Sequence, residues 1–228
     1  MKNTKPLTAA LPPATDIPIP KSRSRADGRH DRVRNICVYC GSGKGNNPAY
    51  AAAARALGNA LAEAGIGLVY GGGGLGLMGE IARATLAAGG HVTGIIPEFL
   101  TEREHMLRDV SELVVTADMH ERKKLMFERS DAFVALPGGI GTLEELVEQL
   151  TWSQLGRHTK PIVVANIADF WSPFLNLLHH MREDAFIRSG LEVRFTVVDE
   201  AAKILPAVVG AVSDQGGIDG ARAAMARL

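Results

Sequence analysis

The sequence predicts an α/β fold: a single Rossmann-like, doubly wound domain with a mostly parallel sheet of about seven strands. Three observations lead there. From Val33 onward, short β-branched runs alternate with longer alanine- and leucine-rich stretches, the order that builds an open sheet with helices on both faces. The strand runs show almost no polar alternation, as expected of parallel strands covered on both sides. Glycine-rich turns at 41–45, 71–79 and 138–141 each follow a strand run, so all three fall on the carboxyl edge, where such sheets bind ligands.

In chain order, Ile36–Cys40 reads as the first strand, followed by the turn Gly41-Ser42-Gly43-Lys44-Gly45 and a helix near Pro48–Ala64. Ile66–Tyr70 is the second strand; Gly71 to Gly79 then leads into a helix ending about Ala88. His91–Ile96 and Glu112–Val115 are the third and fourth strands, with a helix from Met119 to Arg129. Asp131–Leu136 is the fifth, followed by a glycine turn and an amphipathic segment from Leu143 to Leu155. Pro161–Asn166, a helix from Phe170 to Ile187, Phe195–Val198 and a helix from Glu200 to Val212 complete the domain. The spacing therefore places one domain over residues 35–212, with residues 213–228 as a frayed end.

Residues 1–34 read differently. They mix prolines, among them Pro12, Pro13, Pro18 and Pro20, with an Arg/Ser run and little apolar material, the composition of a disordered, basic tail. Leu7 to Leu11 is too short for the apolar core of a signal peptide, and Asp16, Asp27 and Asp31 speak against a transit peptide. No run reaches the roughly 18 apolar residues of a membrane span, so the expected location is cytoplasmic. The tail holds eight of the 25 Lys/Arg but only three of the 25 Asp/Glu. The remaining chain is therefore mildly acidic, which argues against nucleic acid as a partner. Cys37 and Cys40 have C-x-x-C spacing, but they lie in a strand run, where positions three apart face opposite sides. No second cysteine pair completes a zinc site. Both read as core residues; no metal and no cofactor is expected.

The most informative stretch is Pro137-Gly138-Gly139-Ile140-Gly141-Thr142-Leu143-Glu144-Glu145. Its glycines let backbone approach a ligand closely, and the free N–H groups of a helix start favour an anion. Glu145 then lies about a turn inside the helix, a carboxylate beside a phosphate cradle. A competing account makes Thr142 and Glu145 a capping box. Upstream, Asp118-Met119-His120-Glu121-Arg122-Lys123-Lys124 puts Arg122 and Lys123 in the first turn of a helix, where the dipole disfavours cations; service to an anion would explain them. A dinucleotide site wants an acidic residue at the end of the strand after its glycine turn, where Glu98 behind Pro97 is a poor fit, and the Walker pattern is absent, which disfavours NAD-dependent and P-loop chemistry.

With these motifs in place, the chain resembles the LONELY GUY (LOG) family of cytokinin riboside 5′-monophosphate phosphoribohydrolases, often mislabelled lysine decarboxylases. The family pattern P-G-G-x-G-T-x-x-E is complete from Pro137 to Glu145, and M-H-x-R-K is complete from Met119 to Lys123. Tyr70 to Gly79 resembles the family's glycine loop and Thr151-Trp152-Ser153-Gln154-Leu155-Gly156 its later motif, so the similarity runs from about Ile36 to Val209. The resemblance implies hydrolysis of the N-glycosidic bond of an N6-modified AMP to free base and ribose 5-phosphate. Arg122 and Glu145 match the catalytic pair. Glu104, Lys123, Gly138, Gly139, Ile140, Gly141, Thr142, Leu143, Glu144 and Thr151 match substrate contacts, with Glu104 toward the nucleoside end. Ile140 replaces a frequent tyrosine, and Gly74 stands where serine is common, so the departures bear on substrate preference. Two alternatives stay open: a general AMP or purine-nucleotide nucleosidase, and a non-catalytic carrier of a nucleotide or molybdenum cofactor. Family members form dimers with the active site near the subunit contact, so a homodimer is expected. The helix carrying Phe170, Trp171, Phe174, Leu175, Leu177 and Leu178 offers a wide apolar arc for it.

Overall fold

The computed structural model describes residues 33–103, 105–188 and 192–212. The expectations for most of the basic tail, for residues 213–228 and for Glu104 lie outside the described residues. Within them, seven strands form one sheet: β1 (Asn35–Tyr39), β2 (Gly67–Tyr70), β3 (Val92–Pro97), β4 (Glu112–Thr116), β5 (Ala132–Ala135), β6 (Ile162–Ala165) and β7 (Thr196–Val198). The helices are α1 (Pro48–Glu63), α2 (Gly76–Ala87), α3 (Met119–Glu128), α4 (Ile140–Gln154), α5 (Ser172–Glu183) and α6 (201–212).

The spatial order is β4-β3-β2-β1-β5-β6-β7, and every neighbouring pair is parallel. The sheet is thus wholly parallel rather than mostly so. The chain winds outward from β1 to β4, returns to the centre at β5, and winds outward again on the other side. The reversal falls between β1 and β5, and their exits form the crevice where doubly wound sheets hold ligands.

Burial on both faces explains the missing alternation in the strands. Ile36, Val38, Leu68 and Tyr70 pack with Leu57, Leu61, Ile81, Ile204 and Val208 of α1, α2 and α6. Cys37, Tyr39, Val69, Ile95 and Phe133 pack on the other side with Met126, Leu146, Leu150 and Trp171. Cys37 and Cys40 belong to different faces, both as free, buried thiols. Burial pushes both well above the usual thiol range, and Glu145 adds to the effect. They are inert core residues, as their spacing along a strand suggested.

The helix starts depart from the sequence reading in two places. α2 begins at Gly76 rather than after Gly79, because the N–H groups of Leu77 and Met78 find Gly41 O at 2.9 and 3.3 Å. This cap comes from another loop, so local sequence does not show it. The second departure is α4, which starts at Ile140 with Gly139 as a cap residue that offers no side-chain bond. The capping box that competed as an account of Thr142 and Glu145 does not form. Thr142 is already inside the helix and buried against Gly138, and Glu145 turns inward to an arginine. A variant of the capping box, with its return bond one residue earlier, exists instead on α3. Asp118 accepts from Glu121 N at 2.8 Å, and the Glu121 carboxylate reaches back to Ala117 N at 2.9 Å. At the other end of the domain, α5 is shorter than expected. A 3-10 turn, Ile167–Asp169, precedes it, and Ala185 at φ +60° stops it.

The close packing of α1 on α2 requires Gly58. A β-carbon there would lie 2.7 Å from Ile81 O and 3.0 Å from both Ala84 Cβ and Thr85 Oγ1. Gly58→Ala should therefore destabilise the fold by about 1–3 kcal/mol, the usual penalty for overpacking, read as a lower urea midpoint at unchanged m-value.

Candidate active site

The exits of β1 and β5 touch. Gly41 N donates to Pro137 O at 3.1 Å, and a β-carbon on Gly138 would meet Thr142 and lie 2.8 Å from Gly41 N. Glycine at 138 is a packing requirement. Gly139 and Gly141 differ, since a β-carbon on either would meet nothing within 4 Å. Their bare backbone faces open space. Leu143 N is the first amide of α4 to find the helix's own cap carbonyl, Gly139 O, at 3.0 Å. The amides of Ile140, Gly141 and Thr142 precede it and have no intrahelical acceptor by geometry. A glycine-lined turn, an uncapped helix start and open space together make an anion seat.

Beside this seat lies a buried ion pair. Arg122 Nη2 is 3.0 Å from Glu145 Oε1, with side chains only 10 and 9 % exposed. α3 carries Arg122 from the β4 edge toward the centre, and its Nε donates to Ile95 O of β3 at 3.2 Å. Nη1 lies 3.7 Å from Met119 Sδ. Removal from water raises the Glu145 pKa; Arg122 opposes that rise, Glu144 and Glu148 add to it, and Lys123 works against it. The result is a carboxylate titrating above its ordinary value, held charged chiefly by one arginine.

Lys123 is placed next to the site but is occupied. Its Nζ lies 2.7 Å from Glu144 Oε1 and 2.9 Å from Glu148 Oε1. Desolvation lowers its pKa, but the two carboxylates outweigh that and hold it raised. Ile140 is 80 % exposed at the mouth of the turn. Thr151 is exposed and donates its hydroxyl to Val147 O at 2.8 Å. It lies about 13 Å along the α4 axis from Thr142 at 1.5 Å per residue, so the fold does not bring it to the anion seat of its own chain.

The structure thus gathers Arg122, Lys123, and Gly138 through Glu145 at one edge. Sequence reasoning missed Glu148, although Glu144 and Glu148 form an i,i+4 acidic pair, which calls for a cation between them. Among the described residues, no group of three or more His, Cys, Asp or Glu is arranged to hold a metal. No described helix is long and apolar enough to cross a membrane. Two clefts, of about 130 and 360 Å³, lie elsewhere, one between α5 and the approach to β7 and the other at the amino edge of the sheet. Neither includes Arg122 or Glu145; the glycine turns and the buried pair mark the functional edge.

Residues 78–208 match the family model described as "Possible lysine decarboxylase". The chain is 50% identical over 159 residues to the cytokinin riboside 5′-monophosphate phosphoribohydrolase LOG of Oryza sativa subsp. japonica, covering 70% of this chain and just under two thirds, 66%, of that protein. It is 47% identical over 156 residues to a cytokinin riboside 5′-monophosphate phosphoribohydrolase of Arabidopsis thaliana, covering 68% and 72%. Among solved structures, the Moco carrier protein of Chlamydomonas reinhardtii superposes with a TM-score of 0.59 at 24% identity, over 80% of this chain and 99% of that one. At that identity the likeness concerns the fold.

Proposed function

The chain belongs to the LONELY GUY family, and from that premise we propose that it hydrolyses the N-glycosidic bond of an N6-modified adenosine 5′-monophosphate, releasing free base and ribose 5-phosphate. The observation that carries this reading is the buried Arg122–Glu145 pair at 3.0 Å beside an uncapped, glycine-lined helix start. Such a site suits a reaction in which an anion is pinned at one end while positive charge develops at the other.

In this mechanism the 5′-phosphate rests on the amides of Gly138 through Thr142. That contact fixes the ribose, so binding energy at the phosphate becomes orientation at the reacting carbon. As the C1′–N bond breaks, its electron pair leaves with the base and the sugar gains oxocarbenium character. Glu145 faces that charge and stabilises it. A water adds its hydroxyl to C1′, with Glu145 as the base that accepts its proton, and the departing base takes up a proton in turn. Arg122 keeps Glu145 ionised and aimed. Glu104 would contact the nucleoside end, and Glu144 and Lys123 would line the approach.

A decarboxylase reading fits Lys123, the lysine beside this pair, poorly. A Schiff-base lysine needs a lowered pKa, whereas Lys123 is held protonated between two carboxylates. The test of the proposal is incubation with AMP and N6-isopentenyl-AMP followed by chromatography of the products. Release of free base and ribose 5-phosphate, faster from the modified nucleotide, is the expected result. Equal rates would favour a general purine-nucleotide nucleosidase, and ligand retention without turnover a carrier.

A homodimer and a cytoplasmic location are part of the same reading. Ile140, Val147 and Leu155 form an exposed stripe along α4, 80, 40 and 70 % accessible, which runs away from the anion seat. Thr151 lies on this helix too, and it would reach a substrate across such a contact. The apolar arc of α5, with Leu177 and Met181 exposed, is a second candidate surface. If α4 forms the contact, Leu155→Glu should convert a dimer to a monomer in light scattering; a variant that remains dimeric moves the interface elsewhere.

A further inference from the structure

We propose that Gly71 is a positioning residue for the reaction, its bare α-carbon forming the surface on which the Arg122 guanidinium lies to reach Glu145. The inference rests on the reading that Arg122 and Glu145 carry the hydrolysis.

The turn after β2 contains several glycines, and the structure gives them different reasons. Gly72 has φ +78°, a backbone that only glycine adopts easily. A β-carbon at Gly74 would run into the backbone carbonyl of His105, 2.3 Å away. Gly71 has neither constraint: its φ is not left-handed, and no backbone atom is among its nearest neighbours. A β-carbon there would meet Arg122 Nη2 at 2.4 Å, Met78 Sδ at 3.1 Å and Arg122 Cζ at 3.6 Å. The residue is glycine because the guanidinium occupies the place of its side chain.

Nη2 is the same nitrogen that pairs with Glu145 at 3.0 Å. The arginine is also tied to Ile95 O through Nε, so it cannot slide away from a methyl group and keep both bonds. Alanine at 71 therefore leaves the backbone acceptable and displaces the catalytic pair. The blocking atom is the end of a flexible side chain, so the fold itself survives.

Glu145 then loses its main counter-charge. The other charged and titratable groups around it are Lys123 from α3, Glu144 and Glu148 from its own helix, and Cys37, Tyr39 and Cys40 from β1 and its exit. Of these only Lys123 is a cation, and it is shared by Glu144 and Glu148. Burial thus goes largely unopposed, and the carboxylate takes up its proton at higher pH.

The test compares Gly71→Ala, Arg122→Lys and the double variant in kcat, KM, pH profile and melting temperature. Gly71→Ala should lower kcat by about 100-fold with KM within about threefold, because the phosphate seat is untouched. The acid limb of its kcat profile should move up by about one pH unit. In the Arg122→Lys background the same substitution should cost less than about threefold, because no guanidinium plane covers residue 71. An equal cost in both backgrounds, or an unmoved acid limb, overturns the proposal. Should Gly71→Ala fail to fold, recovery of folding in the double variant supports the contact, and failure of both overturns it. If Arg122→Lys leaves kcat unchanged while residues 71 and 122 still couple in melting temperature, the catalytic reading fails and the packing relation stands.

Discussion

Replacing Glu145 with glutamine should lower kcat by about three orders of magnitude, within the range assigned to a single acid–base or charge-stabilising group, while leaving the protein folded. The side chain keeps its shape, and the amide oxygen can still accept from Arg122. What disappears is the negative charge opposite the developing oxocarbenium ion. Stability should respond in a characteristic way. Burial raises the Glu145 pKa above its ordinary value of 4.5, so the folded state binds that proton more tightly than the unfolded chain. The site's favourable contribution is present in acid and is lost as pH rises through the raised pKa. Glutamine has no such slope. Relative to wild type, the variant should therefore gain in melting temperature as pH rises from about 4.5 toward neutrality. A variant that stays folded with wild-type kcat would reduce Glu145 to a structural residue.

Arg122→Ala should behave differently, although it breaks the same pair. Activity falls by about 100- to 1,000-fold, because Glu145 loses its aim and its charge support. Stability falls as well: a buried carboxylate without its partner costs about 3–5 kcal/mol. That loss depends on pH with a definite sign. Without Arg122, the Glu145 pKa rises further. The penalty is full above the new pKa and fades below the wild-type one, where the carboxyl is neutral in both proteins. Melting curves of wild type and Arg122→Ala should converge as pH falls toward the ordinary carboxylate range. Adding Glu145→Gln to Arg122→Ala should recover much of the stability and none of the activity. A pH-independent gap would mean that Arg122 stabilises by packing alone, with no electrostatic hold on Glu145.

These contrasting outcomes follow from contacts that were only partly legible in the sequence. The fold was legible because strands buried on both faces carry no polar alternation, and the order of elements follows directly from that. Arg122 stood out because a cation in the first turn of α3 opposes the helix dipole, and the buried carboxylate at 3.0 Å accounts for it. The pattern Thr-x-x-Glu left a capping box open at α4 because a local rule competes with a tertiary one. Thr142 packs on Gly138 and Glu145 pairs across to α3, so neither is available to cap. The start of α2 was hidden for a similar reason, since its cap is the carbonyl of Gly41. The turn that holds Gly71 stood out, but the particular role of Gly71, like that of Glu148, did not, because it lies in what another helix places against it. Spacing along one element reveals faces; it does not reveal which neighbour occupies them.

The central claim is that a nucleotide's phosphate sits on the amide turn of α4 while its sugar carbon faces Glu145. The most direct measurement is a crystal structure of Glu145→Gln soaked with N6-isopentenyl-AMP, in which turnover is slow enough to trap the ligand. The account predicts phosphate oxygens within hydrogen-bonding distance of the backbone N–H groups between Gly138 and Thr142, with C1′ directed at the residue 145 side chain. A nucleotide seated elsewhere on the molecule, or one whose base rather than phosphate occupies the glycine turn, would contradict it.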